Sequence, residues 1–98
     1  MYLVKLRYVL EVNWRDLNND ERAALQSNSG VYVTSVVNDT PAFHSDILAG
    51  DIIVKIDGQP IYGQKAASEI LGHKRGEEIS ITIFRNSQFI KKQLMLAQ

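Results

Sequence analysis

Few side chains in this sequence have the type or spacing that chemistry requires. His44 and His73 are the two histidines, and neither has a Cys, His or acidic partner at the spacing of a metal site. They read as surface residues of a helix and a loop. The absence of cysteine excludes disulfides, thiolate nucleophiles and thiolate ligands. Ser27, Ser29 and Ser35 show no arrangement with a base and oxyanion donors. Asp46 and Asp51 flank Gly50, where an acid closes a turn by accepting backbone N–H bonds. Arg85, Lys91 and Lys92 form a small basic patch on a hairpin, read as a solvated edge that resists aggregation. No cofactor cradle or metal set is expected, and no enzyme activity from this stretch of chain. What remains is recognition.

Bulk properties narrow the partner. Ninety-eight residues make one domain with a single core. An apolar fraction of 45% with only two prolines describes a folded chain. Eleven basic and eleven acidic residues cancel, so no global field draws the protein to nucleic acid or anionic lipid. No apolar run approaches the ~20 residues needed for insertion into a bilayer. The opening MYLVKLRYVL lacks the apolar core and cleavage site of a signal peptide. The expected organisation is an upstream segment or added start over residues 1–6 and one domain over residues 7–98, excised from a longer exported protein.

The elements that would position a binding site follow from periodicity. Tyr2, Val4, Leu6, Tyr8, Leu10, Val12 and Trp14 fall on even positions opposite polar residues, a strand pattern long enough to demand a bend. Trp14 on that face is expected in the core, with a ligand contact at the far end of a groove as the alternative. Asn18 or Asn19 caps a short helix over NDERAALQ, with Leu17, Ala24 and Leu25 as its buried contacts. Gly30 opens an alternating strand to Val37. Thr40-Pro41 starts a short helix that carries Ala42, Phe43 and Ile47 inward and stops by Ala49-Gly50. Ile52, Val54 and Ile56 make a further strand, turned by Asp57-Gly58. Gln64 to Leu71 reads as a helix ended by Gly72. Ile79, Ile81 and Ile83 alternate along a strand, and Asn86-Ser87 turns it into a return strand over Phe89 to Leu96. On the Gln64–Leu71 helix, Gln64, Ser68 and Leu71 share one face, while Ala66 and Ile70 share another that can face the core. The sum is an α+β fold: a small, partly open β-barrel or sandwich of five or six strands capped by two or three helices.

The run Asp39-Thr40-Pro41-Ala42, then Ile47-Leu48-Ala49-Gly50-Asp51, then Asp57-Gly58-Gln59-Pro60-Ile61 resembles the centre of a bacterial PDZ domain. Upstream, Arg7, Leu10, Val12, Asp16 and Leu17 match the pattern that precedes the first strand in the HtrA-like, permuted type of that domain. The resemblance implies a module that binds the C-terminus or an extended segment of a peptide or protein by adding it as a strand. It places a carboxylate-binding loop at Val9, Leu10, Glu11 and Val12, with Arg7 close by. The open strand would be Val12 to Arg15, including Asn13 and Trp14, and the helix Gln64 to Leu71 would be the other wall. Leu10, Val12 and Leu71 would line the pocket for the last side chain, and Gln64 and Ser68 would meet the residue two back. It also implies a periplasmic or cell-envelope protein.

Two departures complicate that expectation. Tyr8 and Glu11 stand where the family pattern has glycine. Glutamate gives no freedom of backbone angle. A carboxylate about 6 Å from the ligand's own would cost about 3 kcal/mol at an effective dielectric of 20, before screening. Arg7 would offset part of that. If Glu11 instead faces solvent in a continuous or kinked strand over residues 2–14, the edge is satisfied internally or by a second copy, and the domain is a self-association or structural element. A third reading is regulation in cis of a protease domain elsewhere in the parent protein.

Overall fold

The computed structural model describes residues 10–96. Six strands form one antiparallel sheet: β1 (Val12–Asp16), β2 (Val31–Val36), β3 (Ile52–Ile56), β4 (Gln59–Pro60), β5 (Glu78–Arg85) and β6 (Gln88–Met95). The order across the sheet is β1-β2-β3-β5-β6, with β4 paired to β3. Helices α1 (Asn19–Leu25), α2 (Pro41–His44) and α3 (Gln64–Gly72) fill the connections. Six strands and three helices meet the expectation of a partly open fold of five or six strands capped by two or three helices.

Local chemistry explains most boundaries. Asn18 accepts from the Glu21 amide while the Glu21 side chain accepts from the Asn18 amide, a complete capping box for α1. Thr40 caps α2 and Pro41 occupies its first position, where no N–H is needed. Asp57-Gly58 and Asn86-Ser87 all take positive φ, the geometry that lets a two-residue turn match the twist of paired strands. Gly30 has φ +149°, and a Cβ there would lie 2.8 Å from Ile52 Cγ2, so the chain enters β2 only without a side chain.

The main core lies on one face of the sheet, built from Val12 and Trp14 of β1, Val31 and Val33 of β2, Ile53 and Ile56 of β3, Ile79, Ile81 and Ile83 of β5, and Ala67 and Leu71 of α3. A smaller cluster of Leu17, Ile52 and Val54 lies on the other face, partly covered by Leu25 of α1. Three expectations need correction. Phe43 is exposed, because α2 is a single turn whose buried side holds only Ala42, and Ile47 reaches the core from the following loop. Ala24 is exposed and α1 has no fully buried residue, since it lies across the sheet as a half-wet cover. On α3 the fully buried pair is Ala67 and Leu71, while Ala66 and Ile70 are half-buried.

Candidate functional site

Leu10 and Glu11 form a turn, and β1 starts only at Val12. A continuous strand through residue 11 is therefore ruled out. Glu11 takes φ +67°, the left-handed region in which a residue with a Cβ is disfavoured by roughly 1–2 kcal/mol. The glycine-type conformation is kept here without a glycine. The Glu11 carbonyl accepts from the Val37 amide at 3.1 Å. By antiparallel alternation, the amide and carbonyl of Val12 then point away from β2, toward an edge with no strand partner among the described residues. Arg7, Tyr8 and Val9, also expected at this loop, lie outside the described residues.

On its other face β1 is locked to β2. Asn13 Nδ2 donates to Ser35 Oγ at 2.8 Å, so its side chain is committed across the strand pair. The Arg15 guanidinium lies 3.9 Å from the Tyr32 ring centroid and makes a bidentate pair with Glu21. That pair raises the Arg15 pKa and lowers the Glu21 carboxyl below its ordinary value, the hydrogen bond between them being the main cause. Trp14 is buried in the core, as its even position suggested.

Helix α3 packs against β1. The face shared by Gln64, Ser68 and Leu71 passes from exposed, through half-buried, to fully buried. Leu10, Val12 and Leu71 are at most 1% exposed and belong to the main core, so the side chains expected to line the pocket are covered. One short bond ties the two walls at their far end: the Gln64 amide donates to Asp16 Oδ1 at 2.8 Å. Gly63, at the N-cap, provides no side-chain cap, so Asp16 serves that purpose from β1.

Beyond the groove, Asp51 is 2% exposed and receives two bonds from Arg85, at 2.8 and 2.7 Å, plus the Leu48 amide. Arg85 also donates to the Asp46 carbonyl. The hydrogen bond to Asp51 raises the Arg85 pKa. Asp51 thus closes the turn as expected, but Arg85 leaves the supposed basic patch. Its partner was missed because it lies thirty-four residues away, and only the need of a buried acid for a cation could have signalled it.

A family model described as "PDZ domain" matches residues 9–94. The chain belongs to the PDZ family. It is 30% identical over 78 residues to the serine protease Do-like HtrA of Lactobacillus helveticus, a match spanning 76% of this chain and 19% of that protein. A probable periplasmic serine endoprotease DegP-like from Pseudomonas putida is 31% identical over 77 residues, 76% of this chain and 16% of that protein. The chain therefore spans a fifth or less of the length of these relatives. Among solved structures, an HtrA-type protease AlgW with a decapeptide superposes with a TM-score of 0.75 at 26% identity, covering 90% of this chain and 28% of that one. An HtrA3 PDZ domain bound to a phage-derived ligand gives 0.74 at 21%, covering 88% and 81%, and shows the shared fold. A PDZ domain is a non-catalytic module. No helix among the described residues is long and apolar enough to cross a membrane.

Proposed function

We propose that this PDZ domain binds the free C-terminal end of an extended peptide, adding it as a strand to the open edge of β1. The observation that carries this reading is Glu11. A glutamate held at φ +67° immediately before a strand whose outer edge has no strand partner among the described residues preserves the backbone shape that turns amides toward a chain-end carboxylate. Leu10 to Val12 belong to the carboxylate loop, to which the family resemblance also assigns Val9 and Arg7. Asn13 and Trp14 belong to the pairing strand, and Gln64, Ser68 and Leu71 to the opposite wall. Because Leu10, Val12 and Leu71 are covered, the last side chain enters by parting β1 from α3 at the loop end, while the Asp16–Gln64 bond holds the far end. The names of the relatives support a place in the cell envelope and a parent protein with a protease domain that this module regulates.

The test is NMR titration of the labelled domain with peptides ending in a hydrophobic residue, free or amidated. Saturable shifts over residues 10–16 and 64–71, lost on amidation, are the expected result. No saturable shift there with any free-ended peptide would defeat the reading. The outer edge of β1, without a strand partner among the described residues, suits one rival as well, a domain whose edge is satisfied by a second copy. Sedimentation showing a dimer at micromolar concentration would favour that rival over a receptor.

A further inference from the structure

The face of the sheet opposite the groove carries a second concavity, about 470 Å³ in volume, between α1, the β3–β4 turn and β6. This size is within the range of ligand-holding clefts. Its apolar surface comes from Leu25, Val54, Pro60, Tyr62 and Phe89. Tyr62 and Phe89 are 68% and 64% exposed, and Phe89 is held in place by the ring of Phe84 at 5.0 Å. Single exposed apolar residues are ordinary, but several converging on one cleft mark an interaction site.

The charges at this cleft are all of one sign. Lys55 and Lys91 are its only ionisable lysine or acidic lining residues, and neither forms an ion pair among the described residues. The strand register places them in one row: Lys55 pairs with Thr82 of β5, and Thr82 pairs with Lys91 of β6. Two inter-strand steps put the two backbones about 10 Å apart, with a hydroxyl between them. Like charges brought together without a counter-ion are unfavourable, and an anionic partner relieves that. Lys92 takes no part, because its even position turns it to the opposite face of β6.

We infer that this cleft docks a segment of a partner protein in which an aromatic or branched aliphatic side chain sits beside an acidic one. The apolar side chain fills the space over Val54 and Phe89, and the acid meets the Lys55–Thr82–Lys91 row. The site does not use a chain end and is independent of the β1–α3 groove.

The probe is a capped and amidated peptide, acetyl-Asp-Leu-Phe-Glu-amide, which has no terminal carboxylate to offer the Glu11 loop. Titrated into the labelled domain, it should give saturable shifts at Leu25, Val54, Thr82 and Phe89 and leave residues 10–16 and 64–71 unmoved. The Asn/Gln analogue should bind at least about tenfold more weakly, as should the Lys55→Gln/Lys91→Gln protein, whose unfolding midpoint checks that it is folded. Absence of saturable shifts up to about 1 mM, equal binding of the uncharged analogue, or shifts confined to the β1–α3 groove would each overturn the proposal. So would sedimentation showing that the cleft is filled by a second copy, with a dimer dissolved by Phe89→Ser.

Discussion

The Asp51–Arg85 corner and the β1–α3 wall hold the same sheet by different means. At the corner, a nearly inaccessible carboxylate is saturated by two guanidinium bonds and a backbone amide, and the guanidinium reaches a carbonyl as well. No buried side-chain polar atom among the described residues lacks a partner, so movement there would strand the Asp51 charge. At the wall, Leu10, Val12 and Leu71 are held by burial in the apolar core, and the Gln64 amide bond to Asp16 joins β1 to α3 at one end. Apolar contact is non-directional and can be remade with a guest side chain. The contrast teaches where this fold can open. One end is fixed by directional bonds and the other is free to exchange partners.

The sharpest way to break the comparison is to remove the corner's cation. Arg85→Ala leaves Asp51 buried without its partner and is expected to destabilise the domain by about 3–5 kcal/mol. Urea unfolding measures this. A loss under 1 kcal/mol would mean that the corner is as adaptable as the wall. Arg85→Met with Asp51→Leu should recover much of the loss, because the cost lies in the unpaired charge rather than in the missing bond.

Smaller effects are expected at the wall. Asp16→Ala removes the one bond that ties β1 to the start of α3, where Gly63 offers no cap of its own. A lost cap costs about 1 kcal/mol in unfolding free energy. Amide hydrogen exchange should rise over the first turn of α3 while the Asp51–Arg85 region stays protected. Uniform loss of protection across both regions would show that they are not separate units.

Glu11→Gly tests the loop itself. The substitution removes left-handed strain but adds unfolded-state freedom, so stability should change by less than about 1 kcal/mol. Binding should change more. With the carboxylate gone, free-ended peptides are expected to bind about tenfold more tightly at low salt, with the gain shrinking as salt rises. Amidated peptides should show no gain. Equal gains for both would mean that Glu11 acts through backbone strain and not through charge.

Much of this architecture is legible in the chain because it is local. Thr40-Pro41, Asp57-Gly58, Asn86-Ser87 and the alternating isoleucines of β5 each specify an element over a few residues. In β3 the expected alternation of Ile52, Val54 and Ile56 fails, because a register shift between Ile53 and Lys55 sends Ile56 to the main core and leaves Ile52 and Val54 in the smaller cluster. Parity misleads at Leu10-Glu11-Val12. Both even residues are fully buried, yet Leu10 lies in a turn and only Val12 in the strand, and a turn that conserves parity leaves no mark on periodicity. The two-residue β4 is too short to have a period at all. The Asp16 cap and the Asp51–Arg85 pair join distant segments, and the cleft beneath Phe89 exists only where four segments meet. Such features depend on tertiary placement, which composition and spacing do not encode.

The smallest expected effect is a pH dependence that separates exposed ion pairs from the buried corner. Glu21 is lowered by its hydrogen bonds with Arg15 and the Asn18 amide, and Asp57 by the Ser80 amide and then Lys74. Both carboxyls have a lower pKa folded than unfolded. The unfolded chain therefore binds more protons in acid, and the two groups contribute their full stability only above their ordinary values, near pH 4. That contribution should fade as pH falls from about 5 through the folded values. Unfolding midpoints measured between pH 6 and pH 2.5 should decline, and Glu21→Gln/Asp57→Asn should flatten the decline without abolishing it. An unchanged slope in the double variant would assign the acid sensitivity to other carboxylates.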